Sequence, residues 1–324
     1  MLKAYRLSPT GPVEIDATAG IPADADWVDL MIPTPEEDKA AEVFLGASLP
    51  TREESLEIEF SSRFYVEAGA VFMTASLLTG VDIGKPVIVP FTMVLAGERM
   101  VTLHYDELRA INLFLARAGK PENACHTVAS VFSLLIEAII ERSADVIEKI
   151  SANIDLLNRE IFGNLAGSSY KRERRLELVI NDIGMQNDLA AKIRESLASL
   201  ERLVQFAGIA LPAAFEKGQN RQRLKLVARD IRTLEDHILF LSTKISFLLD
   251  ATLGLISVDQ NEVIRVLTIV ATFFFPPTLI STIYGMNFKW MPEIDWPFGY
   301  PAALLAMLVS VLIPFIYFKR KRWL

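Results

Sequence analysis

Three polar positions stand where the 324-residue chain is otherwise apolar, and each carries a side-chain oxygen. Asp250 interrupts the run SFLLDATLGLI, Asn261 follows eleven residues later, and Asn287 completes the triplet Gly285-Met286-Asn287. Eleven residues is close to three turns of helix, so Asp250 and Asn261 share one helical face. A carboxamide offers an oxygen without a full charge. Such a ligand suits a hydrated divalent cation that gives up its inner waters reluctantly. Read alone, Asn287 fits a helix C-cap equally well.

Other chemistry is poorly represented. There is no glycine-rich phosphate loop, no GxSxG and no HExxH, so the sequence reads as a non-enzyme without a cofactor. His104, His126 and His237 are scattered, and the neighbouring pair Cys125-His126 is a weak metal signal. A single cysteine excludes a disulfide framework and a thiolate zinc cluster. With 33 Lys and Arg against 40 Asp and Glu, the net charge of −7 argues against a nucleic-acid partner. Hydrophobic residues make up 51% of the chain, too many for intrinsic disorder, while 23% are charged. The opening MLKAYRLSPTG has no apolar core, so no secretory signal is expected, and the first two hundred residues are expected in a reducing cytosol.

The polar and apolar residues are segregated along the sequence. Val266 to Tyr284 passes without a charge, a length of about 28 Å as helix, near the thickness of a bilayer core. Phe298 to Phe318 forms a second uncharged run. Arg265 precedes the first span and Lys319, Arg320, Lys321 and Arg322 follow the second, whereas the connecting loop holds Lys289 beside Glu293 and Asp295. Basic flanks remain in the cytoplasm, which predicts two cytosolic termini and an external loop. Trp290 and Trp296 fit an outer interfacial belt and Trp323 an inner one. Pro276 and Pro277 lie inside the first span and remove two helix donors. That reads either as a packing kink or as a distorted helix along a wet path, which Thr268, Thr272, Thr278, Ser281 and Thr282 also suit.

Upstream, no proline interrupts the sequence between Asn220 and the first span. Nine of the ten positions from Leu224 to Leu255 at alternating spacings of three and four are apolar, the pattern of a coiled-coil seam. One helix from Asn220 to Tyr284 is about 98 Å long and needs partner helices from its own chain or from others. Val128–Phe162 and Arg172–Leu203 read as an antiparallel helical hairpin joined by a Gly-Ser turn. Before them, β-type runs at Lys3–Leu7, Trp27–Met31, Leu56–Phe60, Arg63–Glu67, Val71–Leu77, Val87–Val94 and Arg99–His104 predict an antiparallel or mixed sheet. Helices are expected at Pro35–Leu45, capped by Thr34, and at Glu107–Ala118. The fold class is thus an α+β membrane protein. Its parts are an α/β domain (1–125), a helical hairpin and connector (126–219), a stalk helix (220–265) and a transmembrane domain (266–324).

These residues carry a resemblance. YGMNF at 284–288, MPEIDWPFGYP at 291–301 and the final FKRKRWL are similar to the signature end of the CorA family of divalent-cation transporters. LPTREESLEIE at 49–59 and the segment 261–288 also resemble its proteobacterial members, and the order of elements agrees along the whole chain. The resemblance implies a homopentamer in a bacterial inner membrane, with a funnel-shaped cytosolic α/β/α domain and first spans lining the pore. It places the selective ring for hydrated Mg²⁺ on Gly285, Met286 and Asn287, and polar rings on Asp250 and Asn261. Ile264, Leu267 and Phe275 fall at apolar constrictions, and Thr278 at a pore-facing polar position. Lys289 stands where many members carry an acidic residue. Leu226 stands where some place a regulatory carboxylate, with Asp230 the candidate substitute one turn away. The implied function is passive Mg²⁺ transport, with Co²⁺ and Ni²⁺ as further candidate ions and Mg²⁺ also as a candidate regulatory ligand. A zinc or other transition-metal transporter of the same superfamily is the alternative, and a membrane-anchored scaffold is a third reading.

Overall fold

Strand alternation builds the amino-terminal sheet, and the side chains it sorts to the two faces decide which helices cover it. The computed structural model describes the chain except residues 9–10, 58, 119–125, 164–168, 216–217, 287–295, 322 and 324. For residues 60, 169–174, 213 and 218 it describes the backbone alone. The chain divides into two compact units, Met1–Leu165 with Leu178–Leu249, and Ala166–Glu177 with Asp250–Leu324.

In the first unit, β1 (Leu2–Ser8), β2 (Gly11–Ile15), β3 (Trp27–Met31), β4 (Phe64–Glu67), β5 (Ala70–Thr79), β6 (Val87–Ala96) and β7 (Arg99–His104) form one sheet. Its order is β2-β1-β3-β7-β6-β5-β4. Only β3 and β7 are parallel among its pairings, so the sheet is mixed, as expected. Ala4, Val28, Leu30, Phe72, Val94, Val101 and Leu103 point to one face and meet Ala41, Phe44 and Leu45 of α1 (Pro35–Leu45). The opposite face presents Trp27, whose ring meets Phe114 of α4 (Arg109–Ala118) at 5.7 Å. Where β5 runs past its pairing with β4, Ser76 N donates to Ser199 Oγ of α6 (Ser169–Ala210) at 2.7 Å. A helix thus closes an edge that would otherwise recruit another strand. The result is an α/β/α layering.

Local capping decides two helices. Thr34 accepts from Glu37 N while Glu37 accepts from Thr34 N, and Gly46 ends α1 in the left-handed region. The same device at Thr51 and Glu54 starts α2 (Arg52–Leu56), so Leu56 is helical where the expected strand Leu56–Phe60 would begin. Its apolar alternation yields to the capping box before it, and α3 (Phe60–Arg63) follows. The short strand β2 has no counterpart among the expected runs.

The seam of the long helix is buried by its own chain. α5 (Val128–Gly163), α6 and α8 (Gly218–Tyr284) carry it, and α7 (Pro212–Phe215) precedes α8. Val227, Ile231, Ile238, Leu241, Ile245 and Leu248 are buried. Lys244 reaches Asp155 of α5 at 2.6 Å and Arg232 reaches Glu201 of α6 at 3.0 Å. The heptad pattern therefore reports contacts within the subunit and does not by itself require several chains. In the second unit, α8 continues to Tyr284 and α9 spans Gly299–Arg320, with Phe273 against Phe315 and Phe318.

A 3₁₀ turn at Val81–Ile83 is pinned through Asp82, which Arg109, Arg142 and Lys149 grip at 2.5, 2.6 and 2.7 Å. Gly80 and Gly84 bracket it, both with φ of 71°. A Cβ on Gly80 would stand 2.1 Å from the Lys85 carbonyl oxygen, whereas one on Gly84 meets nothing within 4 Å. Gly84→Ala should therefore cost about 1 kcal/mol, the penalty of a left-handed L-residue. Gly80→Ala, which must also move backbone, should cost more than about 2 kcal/mol. Thermal unfolding of the two variants in detergent checks the order.

Candidate functional site

α8 owes its continuity to the absence of proline before Pro276, and its last third turns a mixed face outward. Asp250, Asn261, Ile264, Leu267, Phe275 and Thr278 are all exposed in the second unit. At about 100° per residue, Asp250, Asn261, Ile264 and Phe275 fall within about 60° of one another, and Leu267 and Thr278 flank them. Gly254 and Ser257 occupy the same face by the same spacing of three and four. Their small size hides them from a search for charged or amide ligands.

The hydroxyls on this part of α8 are held by the helix itself. Thr268, Thr272, Thr278 and Thr282 each donate to the carbonyl four residues before, at 2.7–2.8 Å. Their protons are engaged, so the oxygens turn lone pairs outward. Pro276 and Pro277 lack the donors that would meet the carbonyls of Thr272 and Phe273 in the regular i→i−4 ladder. Oxygen acceptors without competing donors suit a hard cation or the waters around it.

The helix then ends at the glycine of the triplet. Gly285 N donates to Ser281 O at 3.0 Å and Met286 N to Ile283 O at 3.2 Å. A Cβ on Gly285 would lie 3.2 Å from the Ser281 oxygen, so the last turn is tight against this residue. A helix C-terminus carries partial negative charge, and Gly285 and Met286 sit in that field. Asn287 lies outside the described residues, as do Lys289, Glu293 and Asp295.

α9 has a different character. Leu304, Leu305, Leu308, Leu312, Ile313 and Ile316 are exposed, and its polar exceptions are few. Trp296, Phe298 and Tyr300 gather exposed aromatic surface at its start. At its end Trp323 stacks on Phe318 with centroids 5.6 Å apart. Trp323 also borders a recess with Asn261, Ile264, Thr268 and the pair Glu262–Arg265, which are 3.9 Å apart. α8 and α9 are both long and apolar enough to cross a membrane.

Asp230 belongs to the other unit. It borders a groove between α5 and α8 with Glu137, Glu141, Val227 and Thr233, while Leu226 is exposed. Among the described residues no three His, Cys, Asp or Glu side chains come together as a metal-ligand set. His104, His126 and His237 stay apart, as their sequence positions suggest.

Comparisons with known proteins bear on the family and the fold. The model of the CorA-like Mg²⁺ transporter protein family matches residues 22–320. The magnesium transport protein CorA of Sodalis glossinidius is 34% identical over 327 residues, and that of Salmonella typhimurium 33% over 328, each over the full length of both chains. The complete structure of the CorA magnesium transporter from Methanocaldococcus jannaschii is similar in fold, with a TM-score of 0.74 at 17% identity, covering 100% of this chain and 99% of that one. A transporter family accounts for a chain with two helices long and apolar enough to cross a membrane. The chain belongs to the CorA-like Mg²⁺ transporter family.

Proposed function

We propose that the chain moves hydrated Mg²⁺ across a bacterial inner membrane down its electrochemical gradient, as a homopentamer with both termini in the cytosol. The observation that carries this reading is the full-length likeness, at 33–34% identity, to proteins named as magnesium transporters. The oxygen-rich face of α8 supports it, because Mg²⁺ prefers oxygen donors and keeps several of its waters. A potential of 100 mV supplies about 2.3 kcal/mol per elementary charge, hence about 4.6 kcal/mol for a divalent cation. The transport needs no nucleotide and no chemical conversion.

In this reading five copies of α8 stand around one axis, and five α9 helices separate them from lipid. Gly285, Met286 and Asn287 form the outer ring, which holds the ion through its water shell. Asp250 and Asn261 make the inner polar rings, with Ile264, Leu267 and Phe275 as apolar constrictions between and Thr278 above. Lys289 moderates the cation-attracting field of Glu293 and Asp295 at the mouth. Asp230, on the stalk, is the candidate for sensing internal Mg²⁺, and residues 1–125, 126–219, 220–265 and 266–324 serve as cytosolic α/β domain, helical hairpin and connector, stalk and transmembrane domain.

Three outcomes follow for experiment. Native mass spectrometry in mild detergent should find five chains, and a stable monomer or dimer would remove the shared axis. Asp250→Ala should change ion occupancy and leak while the pentamer remains, since five carboxylates on one axis repel unless screened. Unaltered flux and metal binding in that variant would place the side chain off the path.

The Asn287 variants separate ring from cap. Hydrogen bonds to charged groups are worth about 1.5–3 kcal/mol each, so Asn287→Ala should lower Mg²⁺ flux about tenfold or more. Asn287→Asp should bind the ion more tightly and release it more slowly. A helix cap is served well by glycine, so full transport in Asn287→Gly would refute the ring. Proteoliposomes loaded with a Mg²⁺-sensitive dye read all three.

A further inference from the structure

A second set of polar side chains lies in the sheet, within the unit of residues 1–165 and 178–249, and takes no part in the proposed path. Trp27 and Asp29 of β3 share a face with Thr102 and His104 of β7 through the parallel register. Trp27 Nε1 donates to Thr102 Oγ1 at 3.0 Å, and that hydroxyl donates on to Asp29 Oδ1. His104 meets acceptors on both sides of its ring. Nδ1 lies 2.7 Å from the Asp106 carbonyl and Nε2 lies 3.2 Å from Asp29 Oδ1. The imidazole is only 3% exposed and Asp29 only 7%.

A neutral imidazole has one N–H and one lone pair. In that form one of the two contacts would set a lone pair against an acceptor, out of reach of water. Both contacts are satisfied when the pair holds one further proton, as imidazolium beside carboxylate. We infer that Asp29 and His104 form a proton-binding site, and that its occupancy sets how firmly β7 and the turn into α4 are held. The inference rests on the geometry of the sheet and is independent of the transport reading.

The surroundings bear on the sign. β3 contributes Asp29, and the turn after β7 contributes Asp106 and Glu107. β1 contributes Lys3 and Tyr5, and α4 contributes Ile111 and Asn112 to the same recess. From β6 comes the Phe91 ring, 6.4 Å from the imidazole. Burial holds the Tyr5 phenol well above its ordinary range, so it stays neutral. For His104, burial opposes the charge, but the hydrogen bond and charge of Asp29, followed by those of Asp106, outweigh it and raise the pKa above 6.5.

The mechanical link runs through Asp106. Its carbonyl binds His104, its carboxylate accepts from Thr79 Oγ1 at 2.6 Å and from Glu107 N at 2.8 Å, and α4 begins at Arg109. On the other side, the His104 carbonyl accepts from Ile32 N, a residue held at a positive φ of 47°. Because the folded pKa is raised, the stabilisation is complete below about pH 6.5 and is lost as pH rises through the higher folded value.

Hydrogen exchange of the full-length protein in detergent, read by mass spectrometry and corrected for intrinsic exchange rates, tests this. Between about pH 6 and about pH 9, protection of peptides within 99–118 should fall about threefold or more, while that of 299–320 holds. His104→Gln cannot titrate, so the pH dependence should vanish in it. Wild-type protection that does not change with pH would overturn the inference without any variant. So would a folded His104→Gln protein that keeps the same pH-dependent loss.

Discussion

Hydrocarbon accepts a helix because the backbone satisfies itself, and it accepts little else that is polar. The second unit is organised by that constraint. α9 meets it with an apolar surface that is exposed along its length. α8 does not, because Asn261, Thr268, Thr278 and Thr282 interrupt its surface and two prolines give no donors to its ladder. A helix with such a face needs water or protein on that side. By the same constraint, α9 is the helix whose surface suits lipid on every side.

The first unit answers a different demand. A helix of 67 residues cannot be supported by a few caps, and α5 and α6 support its first half. They do so through a buried apolar seam with ion pairs at its margins, such as Lys244–Asp155 and Arg232–Glu201. Exposed pairs of this kind contribute little to stability. Their use is in fixing register. The side chains left outside the seam, among them Phe240 and Phe247, are exposed, so the same helix also carries apolar side chains away from the seam.

Much of this was legible in the sequence, and the failures have physical causes. β3, β7 and α1 are found where the alternation and the Thr34 cap place them, because short-range patterning decided each of them. Leu56–Phe60 misled because a capping box at Thr51 and Glu54 outweighed alternating apolar residues. The seam showed that one stripe of α8 is buried, but a periodic pattern carries no record of what buries it. Of the proposed path, helical spacing puts Asp250, Asn261, Ile264 and Phe275 on one exposed stripe with Leu267 and Thr278 to one side of it, whereas Asn287 lies outside the described residues. The pairing of His104 with Asp29 spans 75 residues, and no local spacing points to it.

The threonines of α8 have one more consequence. A file of hydroxyls passes a proton along only if each member can donate to the next. Here four of them have already directed their hydrogens at carbonyls of the turn below. Held in this way, the four hydroxyls can each accept from a neighbour but do not pass a proton among themselves, so what they offer beyond the helix is oxygen lone pairs.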